Sequence, residues 1–153
     1  MRYEERGTDM SRDILLGVEI DADAGKIYEA LTTKEGLSSF WTSDSIAEPE
    51  VGSEARFGFA GAPVPLRMRV DTLEPGREVG WTCLGDFPNW SDTRVTWSLS
   101  AGEHAATRVF FRHAGFPDEQ PEYEFASVSY TWAVVLERLK ELAEKGTAQP
   151  ALG

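Results

Sequence analysis

The chain has one cysteine, Cys83, in 153 residues, which excludes an internal disulfide and fits a reducing compartment. It has two histidines, His104 and His113. With a lone cysteine they supply no zinc set at any usual spacing, and no loop carries the alternating acidic ligands of a calcium site. A glycine-rich phosphate loop, a dinucleotide fingerprint and a nucleophile elbow are all missing. No metal and no cofactor are therefore expected. Basic residues are scarce: 15 Lys and Arg stand against 26 Asp and Glu, a net charge of -11. That balance excludes nucleic acid, whose phosphates select a basic surface, and docking on anionic lipid. No apolar run approaches the ~20 residues of a membrane span. The opening MRYEERGTDMSRD lacks the apolar core of a signal peptide. A cytoplasmic protein with no membrane partner is the expectation.

What the chain does have is apolar residues, 41% of the total, and aromatic ones, 11%. This is enough for one real core and too short for two. Residues 1–12 are polar and patternless and read as a flexible N-terminal arm. Residues 13–146 form a single domain, and 147–153 read as a flexible tail. DILLGVEI (13–20) alternates as a strand, with Ile14, Leu16, Val18 and Ile20 on one face. Asp23 caps a short helix whose body runs from Lys26 to Leu31, and Thr33 starts a second short helix ending at Phe40 and Trp41.

From 44 to 114 the period is two. Pro49, Gly52, Gly61, Pro63, Pro75-Gly76, Gly85, Pro88 and Gly102 punctuate six strand-like stretches. Turns as short as Glu74–Arg77 and Ser100–Glu103 make their flanking strands antiparallel neighbours. Leu66, Met68 and Val70 share a face, as do Val79, Trp81 and Cys83. So do Val95, Trp97 and Leu99, and then Thr107, Val109, Phe111 and His113. Charged or small residues alternate with each set, the pattern of a sheet with one wet side.

The segment from about Glu122 to Lys145 changes to a period of 3.6. Val128, Trp132, Val135, Leu139 and Leu142 make one apolar stripe, and Gly146 stops it. The fold class is α+β: an antiparallel sheet, two short helices after the first strand, and one long C-terminal helix laid across the sheet. Such an arrangement leaves space between sheet and helix. Trp41, Phe57, Phe59, Met68, Trp81, Trp97, Phe111 and Tyr130 are assigned to the lining of that space, with Thr107, His113 and Tyr130 as its polar groups. His113 is also the one candidate general base, against the plainer reading of a hydrogen-bonded core histidine.

Four segments carry a resemblance: VEIDADAGKIYEALTTKEGLSSFW (18–41), EVGSEARF (50–57), TRVTWSLSAGEHAATRVFFRHAGF (93–116) and WAVVLERLKEL (132–142). In this order the chain resembles the START-like (SRPBCC) superfamily. More narrowly it is similar to the bacterial homologues of the activator of the heat-shock-protein-ninety ATPase. Thr131 stands where that family usually has a glycine before the tryptophan of its last helix. The resemblance implies a helix-grip fold, a curved sheet of six to seven strands wrapped around the long helix. The eukaryotic co-chaperone that names the family has a separate N-terminal domain, which twelve polar residues cannot replace, so its activity is not carried over.

Three functions stay open on the sequence. The first is a binding module for a small apolar or aromatic molecule, with Trp81, Trp97 and Phe111 as walls and His113 as polar anchor. The second is an enzyme of the aromatase/cyclase or hydrolase type using the same cavity. The third is a stress-related co-chaperone or protein-interaction module. A homodimer is also open, through an apolar patch formed by Phe87 and Trp90.

Overall fold

In the computed structural model, which describes residues 11–152, the period-two stretches become seven strands. They are β1 (Ser11–Ile20), β2 (Asp44–Ile46), β3 (Glu54–Gly58), β4 (Leu66–Glu74), β5 (Glu78–Cys83), β6 (Arg94–Ala101) and β7 (Thr107–Pro117). All pairings are antiparallel, in the order β1-β7-β6-β5-β4-β3-β2. Chain neighbours from β2 to β7 are also sheet neighbours. Only β1 is placed by a distant partner, which it finds in β7. The helices are α1 (Ala24–Thr32), α2 (Lys34–Phe40) and α3 (Glu122–Lys145). This is the helix-grip arrangement.

Register converts alternation into a core. Leu73 pairs with Val79, Val79 with Trp97, Trp97 with Phe111, and Phe111 with Leu16. One row of inward side chains therefore crosses five strands. Helix α3 covers them with Trp132, Val135, Leu136, Leu139 and Ala143, its buried residues. At ~1.5 Å per residue the helix is about 36 Å long, enough to cross the sheet. It ends where Gly146 adopts φ 84° and donates its N–H to the Leu142 carbonyl at 2.8 Å.

The cap readings hold at both short helices. The Asp23 carboxylate accepts from the Lys26 N–H at 2.9 Å and the Thr33 hydroxyl from the Gly36 N–H at 3.1 Å. The ends of the chain differ from expectation. Residues 1–10 of the expected arm lie outside the described residues, but Ser11 and Arg12 already belong to β1. The Arg12 guanidinium explains this. It donates to the carbonyls of Pro117 (3.3 Å) and Gln120 and lies 4.6 Å over the Phe125 ring. At the other end the expected loose tail is held. Ala151 and Leu152 donate their N–H groups to the Phe40 and Trp41 carbonyls at 3.0 and 2.7 Å.

Gly36 sets the corner between α1 and α2. A Cβ there would lie 2.3 Å from the Ala30 carbonyl oxygen and 2.5 Å from its Cα. Helix propensity alone favours alanine by about 1 kcal/mol, but backbone cannot yield as a flexible side chain can. Gly36→Ala is expected to destabilise the fold by about 1–3 kcal/mol. Urea unfolding measures it, and a variant as stable as the parent would contradict the close approach.

Candidate functional site

Before Trp132 no residue of helix α3 is fully buried, and only Phe125 and Val128 pack against the core, both partly exposed. Its first turns overhang the sheet, and beneath them a half-open groove of about 290 Å³ remains. Ser127, Val128, Thr131, Trp132 and Val135 line it from the helix. Trp41 and Phe59 make one wall, Phe87 and Trp90 the other, and Ala62 and Leu152 close the rim.

Each aromatic has a reason to be there. Trp41 is the C-cap of α2, where the chain turns away from the helix. Its ring lies 4.2 Å from Phe57, 5.1 Å from Trp132 and 6.1 Å, nearly parallel, from Trp81. Phe59 follows β3 and reaches Phe87 at 6.1 Å, which meets Trp90 edge-on at 5.5 Å. The Phe87 and Trp90 wall depends on the β5–β6 loop. Asp86 accepts the Arg67 backbone N–H and its guanidinium Nε–H, both at 2.9 Å, fastening the loop to β4. Asn89 and Asp92 sit at φ 72° and 64°, the left-handed region that Asn and Asp tolerate better than most residues. The Asn89 amide donates to the Glu124 carboxylate at 3.0 Å, and Gln120 donates to the same oxygen at 2.8 Å. These two bonds, Gln120's first, hold the Glu124 carboxyl below its ordinary pKa.

The helix side and the Trp90 wall are joined through His113, which is fully buried. Trp132 Nε1–H donates to His113 Nδ1 at 3.1 Å, so Nδ1 is the acceptor and the ring proton sits on Nε2. Nε2 lies 2.9 Å from the Thr93 hydroxyl, which donates in turn to the Trp90 carbonyl at 2.7 Å. The Cys83 sulfur is 3.9 Å from the same nitrogen. Burial pushes the His113 pKa down to about 3 and, as the largest cause, the Cys83 thiol up to about 11. Both groups are neutral at pH 7.

Of the residues assigned from sequence, Trp41 and Phe59 line the groove. Phe57, Met68, Trp97 and Phe111 point the expected way but are fully buried behind it, and Trp81 is nearly so. His113 lies among them with both ring nitrogens engaged, not at a cavity mouth. Thr107 spends its hydroxyl on the Ala22 carbonyl at 2.7 Å. Tyr130 is a correction: it is 73% exposed. Two residues before Trp132 is about 200° around the helix, so it faces solvent. Phe87 and Trp90, read as an exposed patch, are a groove wall. Val128, Trp132 and Val135 were visible in the apolar stripe but were not assigned to the site. Thr131 and Leu152 had no comparable signal.

Among the described residues no titratable side chain lines the groove. Among the described residues no group of three metal-ligating side chains exists, and no helix is long and apolar enough to cross a membrane. The arrangement can enclose an apolar molecule and offer it the Ser127 hydroxyl, while the Thr131 hydroxyl donates to the Ser127 carbonyl at 3.0 Å and has only acceptor capacity left.

A family model for Activator of Hsp90 ATPase homolog 1-like protein matches residues 21–144. The chain belongs to this family. Comparison with curated proteins gives no match. Among solved structures, this Aha1-like domain is similar to the Aha1 dimer from Colwellia psychrerythraea, with 34% identity and a TM-score of 0.79 over 88% of this chain and 98% of that one. Protein MLL2253 from Mesorhizobium loti shares the fold at 20% identity, with a TM-score of 0.74 over 86% and 96% of the two chains. So does DynU16, a putative protein in the dynemicin biosynthetic locus, at 24% identity and a TM-score of 0.72 over 92% of this chain and 49% of that one.

The buried imidazole of this Aha1-like domain has a consequence for acid stability. Unfolded, its pKa returns to the ordinary 6.5, against about 3 when folded. Between those values the unfolded chain binds the extra proton. Stability from this group is therefore complete above pH 6.5 and falls as pH drops toward 3, by up to about 1.4 kcal/mol per pH unit. His113→Gln keeps an acceptor for Trp132 and removes the titration. Its stability is expected to be lower than the parent's at pH 7, with the gap narrowing toward pH 4 in denaturant melts. A constant gap would mean that His113 titrates normally in the fold.

Proposed function

We propose that this Aha1-like domain binds a small, uncharged aromatic or apolar molecule in the groove under the first turns of α3. One observation carries the reading: five aromatic rings, Trp41, Phe59, Phe87, Trp90 and Trp132, surround about 290 Å³ with no titratable group among the described lining residues. The volume lies at the low end for ligand sites and suits two or three fused or linked rings. An ionised ligand would lose its hydration without gaining a counter-charge. The buried, unpaired Cys83 supports a reducing, cytoplasmic setting.

Self-association is a second reading, because the Colwellia psychrerythraea relative, 34% identical, is a dimer. A second copy is then a partner in addition to the small molecule.

The groove is tested by titration with N-phenyl-1-naphthylamine, a neutral fluorophore of suitable size. The parent is expected to bind it. Trp90→Ala is expected to weaken binding at least about tenfold, equivalent to about 1.4 kcal/mol, and Thr131→Trp to block it by filling the space. Tyr123→Ala, on the exposed side of α3, should change little. Undiminished binding to Thr131→Trp would place the fluorophore elsewhere and sink the reading.

A further inference from the structure

We infer that the outer face of β1 and β7 is the surface on which a second copy of this chain docks, which rests on the self-association reading above. Four observations converge on this face. Leu15 and Phe110 point outward and are 57% and 48% exposed. Phe110 pairs across the strands with Gly17 and Leu15 with Arg112, so the two apolar side chains are diagonal neighbours. Beside the raised Phe110 ring lies a hollow, since a Cβ built on Gly17 would meet nothing closer than the Val109 carbonyl at 4.0 Å. The face is also charge-sorted. Its acids, Asp13 and Glu19, stand on β1, and its bases, Arg108 and Arg112, on β7. They pair within the chain at 2.6 Å (Asp13–Arg112) and 3.6 Å (Glu19–Arg108).

A two-fold axis along the strands, between β1 and β7, lays each strand over its mate's opposite number. Phe110 of each copy then enters the hollow over Gly17 of the other. Each acidic column covers a basic one, so Glu19 meets the second copy's Arg108 and Asp13 its Arg112. The face is self-complementary in both shape and charge, as an isologous contact requires. Its two acids and two bases cancel, in a chain whose net charge is -11. The other prominent exposed aromatics, Tyr123 and Tyr130, fail this condition, because residues 118–137 carry acids and no base. Two copies meeting there would bring like charges together.

Stacking of faces is favoured over addition at the β1 edge. The bulge between Arg12 and Ile14 interrupts that edge, and Lys140 Nζ occupies the Glu19 carbonyl at 2.9 Å. Ten residues of strand span about 33 Å. A strip two strands wide makes a small interface, in the class of weak and transient contacts. The dimer is expected to be micromolar rather than obligate.

Sedimentation equilibrium from about 5 to about 500 μM, a range that brackets such a constant, tests the assignment. The parent's average mass should rise from 17.0 kDa toward twice that value. Phe110→Ser, which lowers the bump, and Gly17→Leu, which fills the hollow, should stay monomeric with unchanged thermal melts. Glu19→Arg and Arg108→Glu should each associate at least tenfold more weakly. An equimolar mixture of those two should recover association. The two substituted side chains, one from each copy, then face each other with opposite charges, while native Glu19 and Arg108 meet at the symmetry-related contact. Each chain's own pair stays broken in that mixture, so recovery cannot come from within one chain. A parent that remains monomeric throughout overturns the self-association reading itself. A parent that dimerises alongside equally dimeric Phe110→Ser and Gly17→Leu overturns only this surface. Weak single variants with no recovery on mixing overturn the two-fold arrangement.

Discussion

The hydrogen-bonded chain Trp132–His113–Thr93–Trp90 fixes how the long helix sits. Helix α3 shares no backbone ladder with the sheet. An apolar stripe holds it down but is non-directional and tolerates rotation about the helix axis. The bond from Trp132 Nε1 to His113 Nδ1, at 3.1 Å, is directional and fully buried. Its net contribution is of order 1 kcal/mol, but turning the helix enough to break it would strand two buried polar groups at about 1–3 kcal/mol each. That asymmetry sets the rotation of α3, and the rotation points Val128, Thr131 and Val135 at the groove. Burial keeps the imidazole neutral, which the bond requires, because a doubly protonated ring has no acceptor to offer Trp132.

The same chain explains why a groove exists. The fully buried residues of α3 begin at Trp132, and in its first ten residues only Phe125, 5.5 Å from Phe116, and Val128 pack against the core, so this end needs further support. The β5–β6 loop supplies it from below, pinned to β4 by Asp86 and to the helix by Asn89 through Glu124. The loop touches the helix from one side only, and Trp41 and Phe59 come from the other. Between the two walls the helix is bridged rather than packed. Trp41, stacked on Trp81 and tilted against Phe57, is braced by the core behind it, so the wall does not collapse into the space.

Much of this architecture could be read from the sequence because it follows from period. Strands with one wet side alternate, so Val79, Trp97 and Phe111 could be given a face from residue order alone. Asp23 and Thr33 are short polar side chains placed where a helix must start. Depth is not periodic. Alternation says that Phe57, Met68, Trp97 and Phe111 point inward, but whether they line a space or fill it depends on the helix above them, which no local pattern encodes. The β5–β6 loop was harder still. Phe87 and Trp90 look exposed in a Gly- and Pro-punctuated stretch, and their burial comes from Arg67 and Glu124, about 20 and about 35 residues distant. The strand pairing of β1 was legible as a strand but not in its start, since Arg12 is polar in sequence and is recruited by the Pro117 carbonyl at the end of β7 and the Gln120 carbonyl beyond it.

One strand serves two surfaces with no shared side chain. On β7, Phe111 and His113 face inward beneath Trp132, while Phe110 and Arg112 face out beside Gly17 and Leu15. The sheet between them is close-packed and paired on both sides of β7, so a change in an outward residue need not move an inward one. Effects at sites without common partners generally add. A ligand in the proposed groove and a second copy on the proposed outer face would therefore be independent. Coupling between them would need β7 itself to shift. The Trp132–His113 bond resists that shift, because the helix would have to move with the strand.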